Sequence, residues 1–211
     1  MTEREIVNGL REQYFRHLPA IWRVVWQLET EIRYRTLPVL RNLKSYEQLA
    51  IRSRVKDCES AIRSLLRRQE GNVFDLNRAE EYSILDLKDL AGVRVLAFPR
   101  ERLLEADRIL HECSALANWV SDPVKDEAGA ELASKRYGLC PDVSDEVYGE
   151  YQVVPMLIGL FWEVEHAAMY KPAGSAKGVE RDNDMMKLRA AVGSSLADFE
   201  NGFESFLKRN A

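Results

Sequence analysis

The sequence predicts an α+β fold, a mixed β-sheet flanked by helices, and three features carry that reading. The first third of the chain keeps a helical period, and the period changes abruptly at "LAGVRVLAFP", a short β-branched run between a glycine and a proline. Farther on, "SKRYGLC" and "VYGEYQVV" flank the turn-rich "PDVSDE", and a long apolar helix pattern follows them.

Taken in order, residues 3–17 are amphipathic, and Pro19 is expected to reset the chain. "AIWRVVWQLETEIRY" then puts Ile21, Val25, Leu28 and Ile32 on one helical face, and Pro38 marks another break or an opening helical turn. A long helix is expected from Ser45 to Arg68, ended by "EGN". "LAGVRVLAFP" is a buried strand, "RERLLEADRILHECSALA" a helix and "NWVSDPV" a strand. With "PDVSDE" as the hairpin loop, Cys140 faces Val147 and Tyr137 faces Glu150. "MLIGLFWEVEHAAMY" is a mostly buried helix and "KPAGSAKG" a loop. In the last helix Met185, Leu188, Val192, Leu196, Phe199, Phe203 and Phe206 recur at steps of three or four, a stripe expected to pack on the N-terminal helices. The expected organisation is a helical segment over 1–44, a core over 45–172, and a loop with an amphipathic helix over 173–211.

At 211 residues, 46% hydrophobic and 30% charged, the chain is able to build a core and is not disordered by composition. No apolar run approaches the roughly 20 residues that cross a bilayer, and the polar "MTEREIVNGLREQ" is not a signal peptide. Cys58, Cys113 and Cys140 are scattered, which argues against a disulfide framework or a zinc site and for the cytoplasm. A formal net charge of −4 means that any anion site is local. "IRSRVKDCESAIRSLLRR", with six basic and two acidic residues, is the place to look for one.

On a helix, Lys56, Ser60, Arg63 and Arg67 share a face, with Arg54 at its edge. Cations with one small hydroxyl suit a polyphosphate, and they equally suit a solvated stripe. Asp89 precedes Gly92 and the buried strand, so its carboxylate stands at the strand entry or caps a turn. Arg94, inside that strand, needs a partner. By strand alternation Glu150 and Gln152 share a face beside Tyr137, either as a nucleotide pocket of carboxylate, amide and ring or as an ordinary wet surface. Glu165 and His166 are polar residues in an apolar helix, where a lone histidine is more often a hydrogen-bonded core residue than a catalyst.

Together these pieces resemble the synthetase domain of the RelA/SpoT family of (p)ppGpp-making alarmone synthetases. R-x-K-x-x-x-S matches Arg54, Lys56 and Ser60, and D-[IL]-A-G-[IVL]-R matches Asp89 through Arg94. E-[IV]-Q, then E-H-x-x-x-Y-K, matches Glu150, Gln152, Glu165, His166, Tyr170 and Lys171. The resemblance spans about residues 45 to 172 and implies a nucleotidyltransferase-like synthetase core.

It also implies ATP as pyrophosphate donor, with Lys56, Ser60 and Arg63 on its phosphates and Arg54 and Arg94 clamping its adenine. Asp89 and Glu150 would hold Mg²⁺ and serve as the catalytic pair, while Tyr137, Gln152 and His166 would meet the acceptor, GTP or GDP. Small members of the family often form homo-oligomers. Some transfer pyrophosphate to the tRNA 3′ end or make adenosine alarmones, acting as toxins with a paired antitoxin. No hydrolase constellation accompanies the blocks, since His17, His111 and His166 are isolated.

The chain departs from the pattern at three places. Ser64 stands where the family has Lys, Val154 and Pro155 replace Arg and Thr, and "RYGLCP" at 136–141 replaces G-Y-x-S-x-H. The departures at 136–141 and Val154 lie on the acceptor side, so the competing reading is a catalytically weak protein that binds nucleotides or a partner, against which the retained Asp89 and Glu150 argue.

Overall fold

The computed structural model describes residues 2–70, 82–125, 129, 131–170 and 183–210; the side chains of 67–70, 166–170, 183–186 and 189 are outside that description. A single helix, α1 (Glu3–Arg41), opens the chain and carries Pro19 and Pro38 within it. The expected break at Pro19 is therefore absent. Proline removes one N–H and frees the carbonyl four residues earlier; here those residues are Phe15 and Tyr34, both on the exposed side of the helix. Buried residues on either side, Tyr14, Ile21, Val25, Leu28 and Ile32, hold the axis to the core. Thr2 and Glu5 cap its start reciprocally, at 3.3 and 2.7 Å.

The expected helix from Ser45 to Arg68 is the main correction. Residues Gln48–Val55 form strand β1, and helix α2 begins only at Cys58 and runs to Glu70. Asp57 separates them, its Oδ1 accepting the Ser60 N–H at 2.9 Å and so capping the turn that starts α2. Of "EGN", Glu70 is the last helical residue and Gly71 and Asn72 lie outside the described residues.

After a 3-10 turn (Ile84–Asp86) come β2 (Ala91–Phe98) and α3 (Arg100–His111). Two-residue strands β3 (Val120–Ser121) and β4 (Val124–Lys125) replace the single strand expected in "NWVSDPV". Then β5 (Glu131–Cys140) and β6 (Ser144–Pro155) form the expected hairpin. Tyr137 does pair with Glu150, but an irregularity at Leu139 and Cys140 brings Cys140 against Ser144 rather than Val147. Helices α4 (Met156–Tyr170) and α5 (Asn183–Asn210) complete the described elements. "KPAGSAKG" lies outside the described residues.

The strands run in the order β1-β2-β6-β5-β3, with β4 also on β5. The β2–β6 pair is parallel and the other pairs are antiparallel, so the sheet is mixed. Alternation sends Val93, Val95, Tyr151 and Val153 to one face, where they pack with Leu28 and Ile32 of α1 and Ala106 and Leu110 of α3. On the opposite face Leu96 and Val154 pack with Ile158 of α4. Contact there is close enough that a Cβ on Gly159 would lie 2.3 Å from the Leu96 Cδ2.

Among the described residues the stripe of the last helix packs on α4 and the end of β2 rather than on the N-terminal helix. Leu196 and Ala197 join the α4 cluster, Phe203 lies 5.7 Å from the Phe98 ring, and Leu188, Phe199 and Phe206 remain exposed. Between these contacts the Glu200 carboxylate accepts the Leu157 N–H at 2.8 Å, tying α5 to the first turn of α4. The Met185 side chain lies outside the described residues.

Candidate functional site

One sheet face gathers most of the polar residues singled out in the sequence. In the β1–β2 register Arg54 opposes Gly92 and Arg52 opposes Arg94; in β2–β6, Gly92 opposes Glu150 and Arg94 opposes Gln152; in β6–β5, Glu150 opposes Tyr137 and Gln152 opposes Lys135. Directly paired residues point to the same face, so these side chains form two rows across four strands. Helix α4 covers that face at Leu96 and Val154 and reaches Arg52 and Arg94 through Glu163, while Arg54 stays about half exposed.

The end of β1 and its junction with α2 set the positions of the R-x-K-x-x-x-S residues. Arg54 projects from the end of β1, Lys56 lies just past it, and Ser60 stands in the first turn of α2. Lys56 is held at both backbone groups: its N–H donates to the Leu90 carbonyl at 2.9 Å, and its carbonyl accepts from the Tyr14 hydroxyl at 2.8 Å. The shared helical face expected for Lys56, Ser60, Arg63 and Arg67 therefore fails at Lys56. Ser60 and Arg63 do meet, with Arg63 Nη2 donating to the Ser60 Oγ at 3.3 Å. Ser64 lies on the same helix, and the Arg67 side chain is outside the described residues.

Asp89 is the hub. Its Oδ2 accepts the Lys56 ammonium at 2.5 Å and lies 3.9 Å from the Arg54 guanidinium. Gly92 makes room beside it, since a Cβ there would stand 3.4 Å from the Arg54 Cγ and 3.5 Å from its Nε. Glu150 is only 7% exposed. Burial pushes its carboxyl above the usual range, and the charge of Asp89 adds to the push, against the opposing charges of Arg54 and Lys135. Gln152 bridges onward, its Nε2 donating to the Glu150 Oε1 at 2.9 Å and its Oε1 accepting from the Arg94 Nε at 3.0 Å. Arg94 is lowered from its ordinary value, first by desolvation and then by Arg54, with Glu163 and Glu150 opposing.

Among the described residues no three His, Cys, Asp or Glu side chains form a metal-binding group. Asp89 and Glu150 are nonetheless a fitting pair for Mg²⁺, which is commonly held by one or two carboxylates with phosphate oxygens and waters completing the shell. Burial first and the charge of Asp89 second hold the Glu150 carboxyl above its usual range, and a divalent cation beside it would ease both.

Toward the hairpin end, Tyr137 lies 6.3 Å from Tyr148, and the Lys88 ammonium sits 3.2 Å from the Tyr148 ring centre. Tyr137 and Gln152 thus reach the face with Glu150. The His166 and Tyr170 side chains and all of Lys171 lie outside the described residues. Val154, which replaces the expected arginine, is fully buried against Leu96 and Ile158, so that position is committed to packing. Segment 136–141 holds the last strand residues of β5 and the start of the turn, and so keeps Tyr137 on the face without a longer loop.

Sequence reading missed Arg52, Glu163, Trp162, Lys88 and Tyr148. Arg52 was signalled by the alternation of "AIRSRV", where Ile51, Ser53 and Val55 point away from Arg52 and Arg54. Tyr148 follows from the same period-two rule that located Glu150 and Gln152. Glu163, by contrast, comes close only through the seating of α4.

No protein-family model matches this sequence, and no curated protein matches it. Solved structures do. Small alarmone synthetase 1 from Bacillus subtilis bound to its product pppGpp superposes with a TM-score of 0.66 at 17% identity, over 94% of this chain and 98% of that one. The same protein bound to AMPCPP gives 0.64 at 17% identity, over 94% and 99%. Small alarmone synthetase 2 from Bacillus subtilis gives 0.62 at 14% identity, over 91% and 97%. Identity this low speaks to architecture, and on architecture the match is nearly end to end: the chain has the α+β fold of the small alarmone synthetases.

Proposed function

We propose that this chain is an ATP-dependent pyrophosphotransferase that moves the β,γ-diphosphate of ATP to the ribose 3′-hydroxyl of a guanosine nucleotide, GTP or GDP. The observation that carries the reading is the convergence of Arg54, Lys56, Asp89, Arg94 and Glu150 on one sheet face of this fold, from β1, the β1–α2 junction, the β2 entry, β2 and β6. The related proteins solved with pppGpp and AMPCPP support the choice of nucleotides.

In this reading Arg54 and Arg94 stack on the adenine, and Lys56, Ser60 and Arg63 receive the phosphates. Asp89 and Glu150 would hold Mg²⁺, whose charge offsets that of the diphosphate in transit. The acceptor 3′-oxygen attacks the β-phosphorus, the bond from that phosphorus to the α–β bridging oxygen breaks, and AMP leaves. Glu150 takes the 3′-hydroxyl proton, a role that suits a carboxylate whose affinity for protons is raised by burial. Phosphoryl-group transfer of this kind depends on positioning and charge neutralisation, which matches a site built from cations and paired carboxylates. Tyr137 and Gln152 meet the acceptor base.

The committed, apolar Val154 favours a second reading of the acceptor alone: the same transfer to the tRNA 3′ end or to an adenosine nucleotide. Incubation with γ-labelled ATP, Mg²⁺ and GTP, GDP, ATP alone or bulk tRNA separates them. Label on a guanosine nucleotide supports the first reading. Label on tRNA or an adenosine nucleotide replaces it with the second, and no transfer to any acceptor overturns both.

A further inference from the structure

Arg52 and Arg94 stand directly opposite each other on the site face, and Arg54 lies one row away. Like charges at directly paired sheet positions repel, and Arg94 has only 19% of its side chain exposed, so solvent screens it poorly. Such an arrangement needs a counter-charge. It comes from α4, 69 to 111 residues away in sequence: the Glu163 Oε2 meets Arg52 Nη1 at 2.5 Å, and its Oε1 lies 3.9 Å from Arg94 Nη1. The next residue back, Trp162, places its ring centre 5.9 Å from the Arg94 guanidinium carbon. With Gln152 on the Nε, Arg94 is contacted on three sides.

We propose that Glu163 is a positioning residue of the donor site: its carboxylate holds Arg52 and Arg94 together, so that Arg94 presents a fixed guanidinium plane to the purine of the donor nucleotide. The inference rests on the donor reading above for what Arg94 stacks on. It adds that the orientation of Arg94 comes from a helix outside the arginine and lysine segments, and that Glu163 offsets the repulsion from the directly paired Arg52, to which Arg54 adds from the next row. A solvent-exposed ion pair without this role is worth little and leaves ligand affinity alone.

The two roles separate by experiment. Titration of the full chain with a non-hydrolysable ATP analogue, in a calorimeter, is compared for the native protein, Glu163→Gln, Arg52→Ala and the double variant, with melting temperatures measured in parallel. Glu163→Gln is expected to weaken analogue binding about tenfold, the size of one lost cation–π or stacking contact. Adding Arg52→Ala to it is expected to restore part of that loss, because the directly paired cation is gone while Arg54 remains. In turnover, the effect should fall on the KM for ATP, with the acceptor KM held.

Native analogue affinity in Glu163→Gln overturns the inference, as does a double variant whose losses simply add. If Glu163→Gln melts so early that binding is unreadable, the charge swap Arg52→Glu with Glu163→Arg decides, because it preserves the ion pair but puts a second cation from α4 beside Arg94; native affinity in the swap overturns the positioning role. A native protein that binds no adenine nucleotide overturns the donor reading and this inference together. Binding without any transfer overturns the transfer reading alone.

Discussion

Gly92 offers a way to separate stability from function at the site. It sits in the interior of β2, buried, and glycine in a strand interior weakens it. Replacing it with Ala adds a Cβ 3.4 Å from the Arg54 Cγ, an ordinary contact, and should stabilise the fold by about 0.5–1 kcal/mol. For a chain of this size that is a rise of roughly 1–4 °C in Tm. Gly92→Val favours the strand further, yet its two methyls extend into the space taken by the Arg54 stem and push the guanidinium aside. A lost base–arginine contact is worth about 1–2 kcal/mol, so affinity for an ATP analogue should fall about five- to thirtyfold in the Val variant. The assay pairs calorimetric binding with thermal melting on the three proteins. The reasoning is refuted if Gly92→Val binds the analogue with native affinity. It is refuted equally if the loss of affinity comes with a comparable drop in Tm, since the strand rather than Arg54 would then have failed.

Glu150→Gln should abolish transfer while raising Tm at neutral pH. Its folded carboxyl sits above its unfolded value, of about 4.3, because of burial and Asp89. Its contribution is thus fully present below that unfolded value and is lost as pH rises through the folded one. The Tm advantage of the Gln variant should therefore open as pH rises from the acid range to neutrality; an advantage largest in acid would reverse the sign. Tyr14→Phe removes the hydroxyl that donates to the Lys56 carbonyl at 2.8 Å and should cost about 0.5–1.5 kcal/mol, with a modest rise in the KM for ATP. An unchanged urea midpoint would show that this bond contributes nothing. Arg102 covers Glu47, whose side chain is 2% exposed and accepts at 2.9 Å, so Arg102→Met should destabilise by about 3–5 kcal/mol. A loss below 1 kcal/mol in chemical denaturation would mean that water replaces the guanidinium.

Much of this architecture was legible because its signals were local. The buried β2 is apolar on both faces apart from Arg94, so "AGVRVLAF" has no solvated alternative. The hairpin showed itself through alternation, which also placed Glu150, Gln152 and Tyr137 together; only the irregularity at Cys140, a matter of turn geometry, was hidden. The segment from Gln48 to Arg68 was misread because two periods overlap there. Lys56, Ser60 and Arg63 keep helical spacing across a junction, while Arg52 and Arg54 alternate with Ile51, Ser53 and Val55 as a strand does. The cue that breaks the tie is Asp57, a capping residue three positions before the Ser60 N–H it accepts.

What stayed out of reach was tertiary. Pro19 and Pro38 look like breaks until the residues four positions earlier, Phe15 and Tyr34, are seen to lie on the exposed side of α1. Glu163 looks like one polar residue in an apolar helix until Gly159 lets α4 close on Leu96 and brings the carboxylate over two strands. That dependence has its own test. Gly159→Val would add bulk where even a Cβ lies 2.3 Å from the Leu96 Cδ2; Leu96 is fully buried with little room to turn aside, so α4 is expected to lift, at a cost of about 1–3 kcal/mol. If the seating of α4 is what sets Arg94, the lifted variant should lose analogue affinity as Glu163→Gln does, and combining the two should add little. Native affinity in a destabilised Gly159→Val would mean that Glu163 reaches Arg52 and Arg94 from a displaced helix as well, and that the close contact with Leu96 serves packing alone.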